Sequence, residues 1–401
     1  MPRHVYAIAT MDTKGDELAF VANCLRVVGV QVLTVDVSTS GQGSAAADVT
    51  REELFGEAWN AGEGDRGTAI QIMGNALTEF LCRAAAQDRV AGVIGIGGSG
   101  GTSLITAAMR QLNIGLPKLM VSTVASGNTV PYVDCHDITM MHSVVDIAGL
   151  NAVSQKILAN AAHAMAGMVS HTPPQLPISP VIGMTMFGVT TPCVTMVRKH
   201  FESEGYDCLV FHATGSGGRA MENLVESKLI EGVLDITTTE VADEIVGGVF
   251  PAGPARFDAM LRRGIPLVLS LGAVDMVNFG ALDSVPQRFR NRRLHVHNPQ
   301  VTLMRTTPDE NRQIASWIAD KLNRSTAPVS LVIPEQGVSA LDAPDQPFYD
   351  PEADHALFTE LEQQLHTSSK RTIVRADHHI NAPEFAKVLI EQYEHIRSLA
   401  S

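Results

Sequence analysis

Short, unbroken apolar runs alternate with longer helical patterns along nearly the whole chain, and this alternation leaves few folds open. In the first half the runs are Val5–Thr10, Val32–Val37, Gly92–Ile96 and Lys118–Thr123, with helical segments such as Glu17–Val28 and Thr102–Leu112 between them. Strands alternating with helices indicate βαβ units and a mostly parallel sheet. Val93–Ile96 and Leu119–Val121 are apolar without polar alternates, as strands covered on both faces are. An alanine-rich helix near Ala152–Val169 follows. Four prolines then fall within His171–Pro180 and admit neither a regular helix nor a central strand. That stretch reads as a stiff crossing between domains.

Beyond it the pattern restarts. Val181–Met186 is a strand, and Thr191–Glu204 is a helix with Pro192 in its first turn. Strands Cys208–Ala213 and Val233–Thr238 flank a helix at Gly218–Ser227. Further strands are expected at Leu267–Leu271, Leu294–Val296, Leu331–Ile333 and Thr372–Arg375, with a last helix at Pro383–Ser398. A chain of 401 residues suits two domains. The expectation is therefore two α/β domains with mostly parallel sheets, 1–175 and 181–401, holding a ligand in the cleft between them.

Charge and cysteine usage narrow the functional classes. A formal net charge of −13 speaks against nucleic acid or an anionic membrane as partner. The one basic run, Arg288, Arg290, Arg292 and Arg293, reads as solvated surface. Cys24, Cys82, Cys135, Cys193 and Cys208 are scattered and form no C-x-x-C pair, which fits a reducing compartment. No stretch approaches the ~20 apolar residues of a membrane span. A soluble, cytoplasmic protein is expected.

The sharpest local motif is the glycine-rich run Ile94–Ser103, IGIGGSGGTS. A strand runs into Gly97, Gly98, Ser99, Gly100 and Gly101, and Thr102 and Ser103 open a helix. Glycines let backbone N–H groups approach an anion, and a helix N-terminus adds free donors and partial positive charge. Its hydroxyls suit a phosphate oxygen or a magnesium ion. The alternative is a tight turn with a hydroxyl cap. No lysine precedes Thr102, so this is not a Walker A loop, and the spacing differs from the dinucleotide G-x-G-x-x-G. A second loop, Thr214, Gly215, Ser216, Gly217 and Gly218, also follows a strand and opens a helix, with His212 and Arg219 beside it. Two such loops suggest a nucleotide in the cleft, or else two structural turns.

Other polar residues follow strand ends. Asp12 suits magnesium or a ribose hydroxyl and Lys14 a phosphate, although Asp12 or Thr13 as a helix cap is the alternative. Ser122 closes the strand at Lys118–Thr123, and Asp137, His142 and Asp146 lie in the polar connection after it. Asp275 and Asn278 suit a hydroxylated ligand. His378, in Arg375–Asn381, suits a general acid or base, and at most one of His378 and His379 faces the site. His295 and His297 share one strand face, but no third zinc ligand stands at metal-site spacing. Asp350, Glu352 and Asp354 read as charges at a helix N-terminus. Gly97–Gly101 also fits the bare G-x-S-x-G pattern, with Ser99 as a hydrolase nucleophile.

Several longer motifs carry a family resemblance: ATMDTKGDE (Ala9–Glu17), GIGGSGGTS (Gly95–Ser103), DITMMHSVVDIAGLN (Asp137–Asn151), HATGSGGRAME (His212–Glu222), DMVNFG (Asp275–Gly280), HNPQVTLMRTT (His297–Thr307) and DHHIN (Asp377–Asn381). In this order and over essentially the whole chain, they resemble the Tm-one-like ATP-binding domain family, bacterial relatives of the N-terminal part of a tomato mosaic virus resistance protein. The resemblance implies two Rossmann-like subdomains that bind ATP with magnesium in a homo-oligomer, a dimer. It implies no defined reaction. One departure is Ala382, where the pattern leads to an acidic residue. Two functions follow: an ATP-dependent enzyme such as a kinase or ligase, with Asp275 and His378 catalytic toward a small metabolite, or a nucleotide sensor without turnover. A hydrolase acting without nucleotide is the third reading.

Overall fold

A computed structural model describes residues 2–40, 46–55, 66–171, 179–251 and 253–400. The chain divides into two compact units, Met1–Leu176 and Pro177–Ser401. Most of the proline-rich crossing, residues 172–178, lies outside the described residues.

Unit 1 runs β1 (His4–Ala9), α1 (Met11–Val27), β2 (Val32–Asp36), α2 (Arg51–Phe55), α3 (Arg66–Ala86), β3 (Val90–Gly97), α4 (Ser99–Met109), β4 (Lys118–Ser122), α5 (Val130–Val133), β5 (Thr139–His142) and α6 (Ala152–Ser170). The five strands are all parallel, in the order β2-β1-β3-β4-β5. Side chains alternate across a strand, so β1 serves two cores at once. Tyr6 and Ile8 pack with Met73, Leu77 and Ile105 of α3 and α4. Val5 and Ala7 pack with Leu18, Val21, Leu158 and Met165 of α1 and α6. Covered on both faces, the strands read as apolar runs, and the expected strands are found.

Unit 2 runs β6 (Val181–Met186), α7 (Thr191–Ser203), β7 (Asp207–His212), α8 (Ser216–Glu226), β8 (Gly232–Thr237), α9 (Thr239–Val246), α10 (Asp258–Arg263), β9 (Leu267–Gly272), β10 (Met276–Phe279), β11 (Leu294–Asn298), β12 (Val301–Arg305), α11 (Pro308–Asn323), β13 (Val329–Pro334), α12 (Pro351–Gln364), β14 (Arg371–Ala376) and α13 (Pro383–Ala400). Six strands form a parallel sheet in the order β14-β13-β9-β8-β6-β7. A small antiparallel sheet, β10-β12-β11, was not expected beyond its β11. All four residues of β10 are buried, Asn278 included, so neither alternation nor an apolar run marks it. Both large sheets are Rossmann-like.

Three helices begin earlier than their sequence suggests. α4 starts at Ser99 and α8 at Ser216, so their glycines lie in the first turn; low helix propensity makes glycine look like loop. α1 starts at Met11, because distant groups cap it: the Asp36 carboxylate accepts from the Met11 N–H and Ser38 Oγ from the Asp12 N–H. Asp12 and Lys14 therefore stand in the first turns of a helix, which is irregular at Lys14 (φ −136°), and not on a loop.

Each large sheet has one topological switch point. In unit 1, β1 lies between β2 and β3; in unit 2, β6 lies between β7 and β8. Chain connections leave these central strands in opposite directions, opening a crevice at the strands' carboxyl ends.

Candidate functional site

In unit 1 the segments after β1 and β3 meet at the switch point. The α4 N-cap is Gly98, which offers no side chain to its helix. Thr102 N–H bonds the Gly98 carbonyl at 2.8 Å and starts the helical ladder. The N–H groups of Ser99, Gly100 and Gly101 have no acceptor among the described residues. Gly97 makes this approach possible: a Cβ there would stand 2.9 Å from the backbone of Gly101 and Thr102. A Cβ at Gly98 or Gly101 would meet nothing nearer than 3.8 Å, whereas one at Gly100 would stand 3.1 Å from Ile70 Cδ1. Such a terminus attracts anions through unpaired donors and the helix dipole.

One cation stands beside the first turn of α4, while Lys14 is tied to the segment after β5. The Arg66 guanidinium comes within 3.9 Å of where a side chain at Gly100 would begin. Lys14 Nζ donates one bond to the Ile147 carbonyl at 2.8 Å, which leaves two of its three donors. Asp12 is exposed and its Oδ2 accepts from Ser40 Oγ at 2.9 Å. Ser99 and Ser103 are exposed, whereas Thr102 and Ser122 are fully buried with their hydroxyls bonded to each other at 2.6 Å. Those two hydroxyls bond each other and fasten the first turn of α4 to the end of β4.

The second glycine loop is also an anion cradle, but its anion belongs to the protein. Gly215 and Gly218 N–H both donate to Glu240 Oε1, at 2.7 and 3.1 Å. Glu240 Oε2 accepts from Arg256 Nε at 2.9 Å, and Arg256 also bonds Asp235, which holds Thr185 Oγ1. All four charged and loop partners, Glu240, Arg256, Asp235 and Gly218, are buried. A Cβ at Gly218 would strike Glu240 and stand 2.8 Å from Arg256 Nε. The donors of Gly215 and Gly218, expected to serve a nucleotide, are thus committed internally. This loop also follows β7, the edge strand, and not a strand beside the crevice in the manner of β3.

Family models now add to this geometry. The model described as Uncharacterised protein family (UPF0261) N-terminal domain matches residues 3–174, and the corresponding C-terminal domain matches residues 179–397. The chain belongs to the UPF0261 family. A UPF0261 protein, RA0729, of Rhizobium meliloti (strain 1021) is 51% identical over 98% of this chain and 99% of its own length. A UPF0261 protein of Clostridium tetani is 46% identical, over 96% of this chain and 97% of its own. The ToMV resistance protein Tm-1(GCR237) of Solanum lycopersicum is 47% identical over 97% of this chain, which spans 55% of that protein. The expected resemblance therefore holds.

Elsewhere in this UPF0261 chain the candidate residues are mostly held by structure. Asp137 pairs with buried Lys118 at 2.8 Å and accepts from Gly115 N–H. Asp146 accepts from Ile147 N–H, and Asn278 donates to Asp243 and Thr239. His295 meets Phe348 edge-on, and no group of three or more His, Cys, Asp or Glu among the described residues forms a metal set. In the basic run Arg288, Arg290 and Arg293 are exposed, while Arg292 is half-buried with both oxygens of Glu310, which corrects its reading as solvated. No histidine is hydrogen-bonded to Ser99 among the described residues.

Asp275 is fully buried and accepts from Ser339 Oγ at 2.7 Å. Burial, then the nearby Asp342, push its carboxyl up, against the pull of Arg305. Of the adjacent histidines, His379 is the one tied toward it, donating from Nε2 to the Ser339 carbonyl at 2.9 Å. His378 is half-buried and set in a tight turn by its N–H to the Ala376 carbonyl. Two side chains escaped the sequence reading. Arg66 follows no recognisable motif, and Glu240 reaches the second loop from 22 residues downstream of Gly218. The one signal for Glu240 was an acidic residue directly after an apolar strand ending in threonines.

Proposed function

We propose that this chain binds a nucleoside triphosphate, ATP with magnesium, at the N-terminus of α4, and uses it in an ATP-dependent reaction on a small metabolite. One observation carries the reading. Of the three helix starts singled out by sequence, those of α1 and α8 take internal acceptors in Asp36, Ser38 and Glu240, while the N–H groups of Ser99, Gly100 and Gly101 in α4, at a switch point, have no acceptor among the described residues. Phosphate oxygens supply the missing acceptors, and Arg66 and Lys14 supply charge in an otherwise acidic protein. Magnesium is usually held by one or two carboxylates together with the phosphates, and Asp12 offers such a carboxylate. Ser99 and Ser103 add hydroxyls. The dimer implied by the resemblance belongs to the same proposal and is tested by sedimentation.

Calorimetry with ATP, ADP, AMP and adenosine in the presence of magnesium tests the site. Affinity is expected to fall with each phosphate removed, and Arg66→Met to weaken ATP by about tenfold, as loss of a charged hydrogen bond does. Equal binding of adenosine and ATP, or indifference to Arg66→Met, overturns it. ADP formation against a panel of small acids and sugars tests turnover. Binding without ADP formation moves the reading to a nucleotide sensor.

A further inference from the structure

Three carboxyl groups and one guanidinium lie together in the interior of unit 2. Asp275 follows β9, Asp342 follows β13, Asp354 stands in the first turn of α12 and Arg305 ends β12. Arg305 ties down the entry of α12. Its Nε donates to the Phe348 carbonyl at 2.7 Å, and its Nη2 donates to Asp354 Oδ1 at 2.6 Å and to the Asp350 carbonyl at 3.3 Å. Asp342 and Ser339 hold the turn after β13. Asp342 Oδ2 accepts from the Val338 N–H at 2.9 Å, and Ser339 Oγ donates to Asp275 Oδ2 at 2.7 Å. The cluster thus fastens the segment from Val338 to Asp354 to the ends of β9 and β12. That segment supplies Ala343, Pro344, Tyr349, Pro351 and Asp354 to one wall of a cavity of about 560 Å³.

No second cation completes the cluster among the described residues. Arg292 is bonded to Glu310 of α11 and to the Arg305 carbonyl. Arg293 donates to the Tyr349 carbonyl and lies 3.9 Å from Asp350. Across the cavity, Arg375 is taken by Glu335 and Glu362. His379 Nε2–H donates to the Ser339 carbonyl while Nδ1 accepts from the Asn381 N–H, which fixes a neutral ring. His295 meets Phe348 edge-on, and Asp345, Glu352 and His355 are exposed. Asp275 Oδ1 and Asp342 Oδ1 are buried without a hydrogen-bond donor among the described residues, the latter 3.6 Å from Arg305 Nη2. Three ionised carboxylates against one guanidinium would leave a double negative charge in the interior, and buried acids relieve such a surplus by keeping protons. With two of the three carboxyls protonated the cluster is neutral. Burial, reinforced by Asp342 and opposed by Arg305, accordingly holds both Asp275 and Asp354 well above the usual carboxylate range. A proton on Asp354 also makes a bond to Asp342 that two carboxylates cannot make.

We infer that this cluster is a pH-sensitive clamp: protonated, it holds the segment from Val338 to Phe348 and the entry of α12 against β9 and β12, and on losing its protons it releases that segment and opens one wall of the cavity. The sign follows from the opened state, in which an aspartate titrates near 3.9. The closed clamp keeps protons that the open one gives up, so closure weakens as pH rises from that value through neutrality and beyond. The inference does not depend on nucleotide binding in unit 1.

Amide hydrogen exchange of the full chain at about pH 6 and 8.5, corrected for intrinsic rates, tests it. The reporters are the N–H groups of Val338, Ala340, Leu341 and Phe348, which bond Asp342, the Val189 carbonyl, Ser339 Oγ and the Leu341 carbonyl. Their protection, taken relative to the β8 amides that report global opening of the same unit, is expected to fall at least about tenfold, the effect of one pK unit of linkage. Asp354→Asn keeps an oxygen for Arg305 but has no proton to lose, so it should flatten most of that fall. Asp275→Asn leaves the Arg305–Asp354 bond in place and should flatten the remainder, which keeps the test decisive if the first variant does not fold. Relative protection that is the same at both pH values in the wild type, or a fall that persists undiminished in a folded Asn variant, overturns the clamp.

Discussion

The two glycine-rich loops look alike as sequence and differ as physics. GGSGG at Gly97–Gly101 and GSGG at Gly215–Gly218 each end a parallel strand and open a helix of 11 residues. Both present backbone donors to an anion. In unit 2 the anion is the chain's own Glu240, locked by Arg256; in unit 1 no acceptor among the described residues reaches the first turn. An anion cradle is therefore a local property, whereas whether an internal side chain fills it depends on residues distant in the chain. The internal carboxylate turns the second loop into a structural joint.

The largest effect should come from breaking that joint. Arg256→Ala would leave Glu240 and Asp235 buried without their cation, and loss of one partner from such a network costs about 3–5 kcal/mol. Urea unfolding of the full chain measures it, and a loss below about 1 kcal/mol would show that the network is not what holds the second loop. Next comes Gly218→Ala. Its new methyl meets Glu240 and Arg256 in a packed interior, for an expected loss of about 1–3 kcal/mol in the same assay. A neutral result would mean that the joint yields, and the contrast between the loops would weaken.

The open loop should respond in the opposite way. Gly98 has ordinary backbone angles (φ −79°) and open space, so an aspartate fits there, and it is a favoured helix-capping residue. Gly98→Asp should leave stability unchanged or raise it by a few tenths of a kcal/mol, while its carboxylate occupies the donors meant for phosphate. ATP affinity should fall at least about tenfold at an undiminished melting temperature. Unchanged affinity would disconnect α4 from any nucleotide site.

How much of this was readable in the chain follows from the range of the interactions. The parallel sheets were legible because strands buried on both faces must be apolar, as in Val93–Ile96. Both loops were legible because their glycines adjoin those strands. What fills the second loop was not, since Glu240 and Arg256 reach it from 22 and 38 residues beyond Gly218 and nothing local announces the pairing. Thr102 and Ser122 looked like ligand groups because hydroxyls after strands often are, yet Thr102 on α4 and Ser122 at the end of β4 are bonded to each other. The antiparallel β10 stayed hidden because Asn278, the residue that breaks its apolar pattern, is buried by its bonds to Asp243 and Thr239.

Titration separates the units by a smaller effect of opposite sign. In unit 2, burial pushes the Asp243 carboxyl up to about 7, although Asn278 and Phe250 donate to it. An unfolded aspartate titrates near 3.9, so between about pH 4 and 7 the folded state keeps a proton that the unfolded state has released. Stability from this group therefore falls as pH rises through that window. In unit 1, burial lowers His136 below its ordinary value, so the folded state binds fewer protons than the unfolded one. Its contribution rises as pH climbs through the ordinary histidine range, near 6.5. Hydrogen exchange of the full chain, corrected for intrinsic rates and compared at about pH 5.5 and 7.5, reads both at once. Protection should fall in α9 and β10 of unit 2 and hold or rise in β4 and β5 of unit 1. Parallel changes in the two units would show that neither buried group sets the balance, and Asp243→Asn, with its slope removed but His136 intact, would identify which half of the comparison had failed.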